Sequence, residues 1–161
     1  MPTHEGGCLC RGVRYATTAN PARVTICYCT FCQVATGSLG MVEPIFNAAD
    51  FRIIVGKPST FDMPSRGSGK RITIHFCATC GTKISLTFER FTGVVGVYGG
   101  TFDDPDWFDR SPATTKHIFT GVAQKGTILP AGYNTFTEHA WLNDGTEVEP
   151  TVHDAPKVLG R

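Results

Sequence analysis

Seven cysteines stand in three tight clusters along a chain of 161 residues: Cys8 and Cys10, then Cys27, Cys29 and Cys32, then Cys77 and Cys80. Neighbours within a cluster are separated by one or two residues, too close for a disulfide framework, and their number is odd. Chelation suits that spacing, because thiolates close in sequence reach one metal ion with little loss of chain entropy. Zinc takes four protein ligands in structural sites and three plus an open position in catalytic ones. If no cluster is split, one division satisfies both. Cys8, Cys10, Cys77 and Cys80 close around one zinc, and Cys27, Cys29 and Cys32 hold a second. A competing division joins Cys29 and Cys32 to Cys77 and Cys80 as a zinc ribbon and leaves Cys8, Cys10 and Cys27 over. Glycines favour the first division. Gly7 and Gly12 bracket the first cluster and Gly81 follows the last, where the backbone of a zinc knuckle turns tightly. The middle cluster has Gln33 in the place that Gly81 takes.

The remaining sequence reads as short strands punctuated by 18 glycines and 10 prolines. Ile72, Ile74 and Phe76 alternate with Arg71, Thr73 and His75, which predicts a strand over Arg71–Phe76. Ile84, Leu86 and Phe88 repeat the pattern over Thr82–Phe88. Cys77-Ala78-Thr79-Cys80-Gly81 lies between, so the two strands form a hairpin clipped at its tip by metal. Further strands are expected at Val13–Thr17, Arg23–Tyr28, Met41–Phe46, Phe51–Val55 and Val94–Tyr98. A short helix follows Cys29 through about Thr36 and is ended by Gly37. No repeat or linker divides the chain, and from Thr146 it is polar and loosely held. The expectation is one all-β, zinc-binding domain over residues 1–161.

Composition narrows the function. Net charge is +1, with 15 Lys and Arg against 14 Asp and Glu scattered along the chain, so no basic stripe points to nucleic acid. No apolar run nears the ~18 residues that cross a bilayer. Met1-Pro2-Thr3-His4-Glu5 lacks the order of a signal peptide, and no Asn-x-Ser/Thr triplet occurs. A cytoplasmic protein that binds neither membrane nor nucleic acid is expected.

Three segments together carry a resemblance: Gly7-Cys8-Leu9-Cys10-Arg11-Gly12-Val13-Arg14-Tyr15, Cys27-Tyr28-Cys29-Thr30-Phe31-Cys32, and Phe76-Cys77-Ala78-Thr79-Cys80-Gly81-Thr82. In this order they resemble the glutathione-dependent formaldehyde-activating enzymes, a family that also includes centromere protein V. Gly100-Thr101-Phe102-Asp103-Asp104-Pro105 and His117-Ile118-Phe119 resemble its downstream pattern, so the likeness covers about 5–140 and leaves 146–161 as a polar tail. The resemblance implies a β-tent of small antiparallel sheets with zinc-clipped hairpins. It also implies two zincs per chain: a structural one on Cys8, Cys10, Cys77 and Cys80, and a catalytic one on Cys27, Cys29 and Cys32. The activity implied is that of a carbon–sulfur lyase acting on adducts of a small thiol such as glutathione with an aldehyde. After His117 the chain reads Thr120-Gly121-Val122-Ala123-Gln124-Lys125-Gly126-Thr127, without the tryptophan many relatives carry there. If that segment lines the cleft, an electrophile other than formaldehyde is expected.

A zinc on three thiolates is a weak Lewis acid toward water, yet it binds a fourth thiolate well and lowers its pKa. Thr30, Thr36 and Ser38 lie where a hydroxyl would hydrogen-bond a developing alkoxide. Competing readings remain for several residues. His4 or His117 would close the middle site if either folded beside it. His75 is read as a cross-strand partner, and His139 and His153 as solvated. Arg66-Gly67-Ser68-Gly69-Lys70-Arg71 is either a grip for the carboxylates of a tripeptide thiol or a solvated turn. Asp103 and Asp104 read as a turn or helix cap, and Trp107 and Trp141 as packing anchors. Two other functions compete with the lyase: a zinc-stabilised binding module, and a thiol redox or metal-handling protein cycling Cys29 and Cys32.

Overall fold

The short strands expected from the sequence are formed in the computed structural model, which describes residues 3–160. In chain order they are β1 (His4–Gly7), β2 (Arg14–Thr17), β3 (Arg23–Cys27), β4 (Met41–Asn47), β5 (Phe51–Val55), β6 (Ser59–Pro64) and β7 (Arg71–Phe76). They continue as β8 (Lys83–Phe88), β9 (Val94–Val97), β10 (Thr115–Ile118), β11 (Ile128–Leu129), β12 (Asn134–Thr135) and β13 (Lys157–Val158), with one α-helix, α1 (Thr30–Thr36). Strand accounts for 39% of the protein and helix for 10%, so the mostly-β class holds. The described residues group into two compact units, Met1–Arg23 with Pro44–Phe108 and Val24–Glu43 with Asp109–Arg161.

In the first unit β1, β2 and β5 pair antiparallel, with Gly7 opposite Arg14 and Thr17 opposite Phe51. A second antiparallel meander runs β6, β7, β8, β9, and the Ile45–Asn47 end of β4 pairs with β9. The β7–β8 hairpin has the expected register, with Ile74 opposite Leu86. Tyr15, Phe46, Ile84 and Val97 are fully buried. Trp107 packs among Phe46, Phe102, Phe108 and the ring of His4, which stacks on it at 3.6 Å. His75 Nε2 meets the Thr87 hydroxyl across the hairpin at 3.0 Å. It is a cross-strand partner, as its strand position indicates.

Arg14 is a charged residue whose burial the sequence did not reveal. Its side chain is 7% exposed and forks onto both carboxylate oxygens of Asp103, with Glu5 Oε2 at 3.3 Å. Asp103 lies in the expected bend and is also half of an ion pair, while Asp104 caps the turn by accepting the Asp106 N–H at 3.0 Å. Arg14 donates to Asp103 and holds its carboxyl below the usual carboxylate range. Removing one partner of a buried pair costs about 3–5 kcal/mol. Since Asp103 is half-exposed and Glu5 remains, Asp103→Ala is expected to cost about 2–3 kcal/mol. The depressed folded pKa means that the contribution is complete above the unfolded value of about 4 and is lost as pH falls through the folded value. Chemical denaturation should therefore show a gap between wild type and variant at pH 7 that narrows below about pH 4.

In the second unit β10 lies parallel to both β3 and β12, with Cys27 opposite Ile118. Parallel neighbours need long connections, and here the segment between β3 and β10 supplies one. The C-terminal stretch is better held than its polarity suggests. Thr151 bridges Thr135, Val148 donates to Ala140, and β13 pairs with β11. Its contacts are backbone hydrogen bonds with exposed side chains, and hydropathy is blind to those. His139 likewise is half-buried, its Nδ1 accepting the Trp141 N–H at 3.1 Å.

Candidate metal centres

Cysteine sulfurs gather in two groups, Cys8 with Cys10, Cys77 and Cys80, and Cys27 with Cys29 and Cys32. Within each group all Sγ atoms lie within 4.8 Å of one another, and among the described residues no histidine or carboxylate joins either. The ribbon division, which would mix the two, is not formed.

Two knuckles of the first unit build the four-sulfur group. The Arg11 N–H returns to the Cys8 carbonyl at 2.9 Å, and the Gly81 N–H returns to Cys77 at 2.8 Å. Each turn needs a left-handed residue after its second cysteine. Gly81 supplies one at φ 73, but in the first knuckle Arg11 takes that conformation at φ 61, where the sequence pointed to Gly12. Cys8 and Cys77 are buried, Cys80 half-buried and Cys10 exposed. The Cys8–Cys10 and Cys10–Cys77 sulfur separations are 3.5 and 3.7 Å. Four sulfurs at zinc's bond length of about 2.3 Å stand about 3.8 Å apart in a tetrahedron, so the group fits the ion.

Fixed donors prepare these sulfurs. The Val13 N–H points at Cys8 Sγ at 3.2 Å. Thr82 accepts from the Leu9 N–H at 3.2 Å and sits 3.2 Å from Cys80 Sγ, so its hydroxyl proton goes to that sulfur. The Thr82 hydroxyl is the main reason the Cys80 thiol is held down to about 5. Outer hydrogen bonds of this kind change metal affinity by about 10–100-fold. Thr82→Val is expected to weaken zinc binding by about tenfold in a chelator competition without unfolding the chain.

The three-sulfur group belongs to the second unit. Cys27 ends β3, Cys29 is the N-cap of α1 with its Sγ accepting the Cys32 N–H at 3.4 Å, and Cys32 lies inside α1. The helix is closed by Gly37 at φ 64, whose N–H bonds Gln33. Cys27 and Cys32 are buried and Cys29 is half-buried. Hydrogen bonds from the Cys27 and then the Cys32 side chains hold the Cys29 thiol down to about 3. Cys32 is pushed well up by its bonds to Cys27 and Cys29 and by burial. Cys27 rises through its bond to Cys29 and through burial, and the charge of Glu43 adds to the effect.

Glu43 was missed in the sequence, although a carboxylate inside the apolar run Met41-Val42-Glu43-Pro44-Ile45-Phe46 is a visible anomaly; it is 7% exposed. Also missed was the pairing of Tyr28 with His117, whose phenol and Nδ1 are 2.9 Å apart. Burial pushes Tyr28 up to about 12 and His117 down to about 4, so the phenol donates to a neutral ring. His117 is thus committed to Tyr28 and His4 to Trp107. Of the hydroxyls considered, Thr36 spends its proton on the carbonyls of Cys32 and Gly40, at 2.7 and 3.1 Å. Thr30 and Ser38 remain exposed. The Arg66–Arg71 loop belongs to the first unit, at the end of β7 opposite Cys77, where Lys70 pairs with Glu89 at 3.6 Å. It is a solvated turn.

Comparison with known proteins adds the last observation. Curated proteins give no match. A crystal structure of a Rhodobacter sphaeroides protein superposes with a TM-score of 0.50 at 19% identity, covering 62% of this chain and 87% of that one, which is a likeness of fold. The family model described as glutathione-dependent formaldehyde-activating enzyme matches residues 3–122. That match spans all seven cysteines and both sulfur groups, and the chain belongs to the glutathione-dependent formaldehyde-activating enzyme family.

Proposed function

We propose that this chain is a zinc-dependent carbon–sulfur lyase acting on adducts of a small thiol, of the glutathione type, with an aldehyde or related electrophile. The observation that carries the reading is the three-sulfur group, which gathers Cys27, Cys29 and Cys32 without a fourth protein ligand among the described residues. Family membership supplies the chemistry of glutathione and formaldehyde. In this reading Cys8, Cys10, Cys77 and Cys80 hold a structural zinc, and Cys27, Cys29 and Cys32 hold the catalytic one in a single cytoplasmic domain.

When bound on three thiolates, zinc offers a soft fourth position where a thiol ionises near neutral pH. The chain's residues do the rest. Cys27, Cys29 and Cys32 would hold the ion, with Cys27 and Cys32 buried and half-buried Cys29 the most accessible of the three. In the forward direction the substrate sulfur forms a bond to the aldehyde carbon, the carbonyl π pair moves to oxygen, and the thiol proton ends on that oxygen. Thr30, exposed at the first position of α1, is the hydroxyl able to hydrogen-bond the oxygen as charge develops. In reverse the same groups cleave the adduct.

Metal content and turnover test the reading together. Protein purified without chelator is expected to contain two zincs per chain by elemental analysis. Nuclear magnetic resonance of thiol–aldehyde mixtures should show faster formation or breakdown of the adduct than in the metal-free control. One zinc at full cysteine reduction, or no acceleration with any thiol and aldehyde, would replace this reading with that of a zinc-stabilised binding module.

A further inference from the structure

The turn that carries Cys27 and Cys29 is bonded at three points by residues that are not metal ligands. The Tyr28 N–H donates to Ile118 at 3.1 Å, its phenol meets His117, and its carbonyl accepts from the Gln33 amide at 2.7 Å. The second proton of that amide goes to the Val122 carbonyl at 3.0 Å, and Gln33 Oε1 accepts from Gln124 Nε2 at 3.1 Å. Both donors and one acceptor position of the amide are thus in use. Its own backbone N–H bonds Cys29 at 3.0 Å, so Gln33 moves as one piece with Cys29 and Cys32.

The downstream segment is held from its other side too. Past Ile118, which lies opposite Cys27, the chain bends at Phe119 with φ 58, a conformation unfavourable for a residue with a side chain. Three backbone bonds keep the bend: Phe119 to Glu138, Thr120 to Phe136 and Gly121 to Thr137, at 2.8, 3.0 and 3.0 Å. At Gly121 a Cβ would stand 2.9 Å from a Thr137 methyl and 3.0 Å from its carbonyl, so the backbones are already in contact there. Val122 is left 51% exposed. A strained bend fixed on one side by residues 136–138 and on the other by a single glutamine is a rigid edge beside the thiolates.

We propose that Gln33 is a positioning residue that clamps Thr120–Gln124 as a wall of the three-thiolate site, and so sets which electrophile's adducts the site accepts. The inference rests on the lyase reading for its second half, while the clamp itself does not. Gln33 acts through the segment it holds and touches no reacting atom.

The test uses the full, zinc-loaded chain and compares Gln33→Leu and Gln33→Glu with wild type, with Gln124→Ala as a variant that removes only the outer bond. Leucine keeps the bulk and loses every side-chain hydrogen bond; glutamate keeps the length and the bond from Gln124 but cannot donate to Tyr28 or Val122. Hydrogen exchange read by mass spectrometry should accelerate about tenfold over residues 118–124 in both Gln33 variants, with less change in Gln124→Ala. Zinc content and the exchange of β7 and β8 should stay as in wild type. With a panel of aldehydes and one thiol, KM for bulky and small adducts should converge in Gln33→Leu by about tenfold, with kcat within about threefold. A purely structural residue would not change the preference. Unchanged exchange over 118–124 overturns the clamp whatever the activity. Faster exchange with the wild-type order of preference overturns the specificity role alone. A wild type without turnover overturns that role together with the lyase reading.

Discussion

Cys8→Ser or Cys77→Ser is expected to leave the chain without a cooperative thermal transition at 25 °C and above, whereas Cys29→Ser melts close to wild type. Structural zinc contributes an apparent ~10–16 kcal/mol, and a chain of this length is stable by only about 5–15 kcal/mol. Divided evenly among four ligands the ion is worth about 2.5–4 kcal/mol per sulfur, and losing one also weakens the other three. Geometry adds to that. Cys8 and Cys77 are 4% and 2% exposed, so a serine hydroxyl there meets only the donors arranged for sulfur, such as the Val13 N–H. The two knuckles join β1–β2 to the β7–β8 hairpin across 67 residues between Cys10 and Cys77. Circular dichroism melts of zinc-loaded proteins decide the matter. Equal melting of Cys77→Ser and Cys29→Ser would contradict the division of labour between the two sites.

How far the sequence could be read depended on whether a feature was local. Alternation of Ile72, Ile74 and Phe76 located β7 to the residue, and Cys29 with Gly37 bounded α1 because a capping side chain and a left-handed glycine act within a turn. Spacing brought each cluster's own cysteines together, but it left open which clusters join, and the glycines beside Cys8, Cys10 and Cys80 favoured the division that is formed. Pairings between distant residues were not legible. Nothing beside Arg14 announces that it is buried, and its partner Asp103 is 89 residues away. Gln33 drew notice only as a missing glycine; its bonds to Val122 and Gln124 span 89 and 91 residues. Very short strands such as β11, β12 and β13 carry no hydrophobic period at all. The left-handed Arg11 shows a subtler failure. The knuckle fixed that a residue after Cys10 must turn left-handed, yet the ring closure from Arg11 to Cys8 put the turn on the non-glycine.

Cys29→Ser should in turn be the cleanest way to remove activity. Serine is a favoured N-cap, and its oxygen accepts the Cys32 N–H that Cys29 Sγ now takes, so α1 loses no capping bond. The thiolate is lost, however. Cys29 is the sulfur that its two neighbours hold ionised, and it is the half-buried member of the three, while a serine hydroxyl stays protonated at any working pH. The remaining pair, Cys27 and Cys32, are both buried, and two ligands hold zinc poorly. Metal analysis should therefore fall from two zincs to one with the fold intact. Lewis-acid stabilisation is worth several kcal/mol, so adduct turnover should drop by about 1,000-fold, to the metal-free background. If the lyase reading holds, Thr30→Val is a graded control that should cost about 10–100-fold through the loss of one hydrogen bond to the developing oxygen. A Cys29→Ser protein that keeps both zincs, or keeps wild-type turnover with one, would show that the chemistry does not run at this cluster.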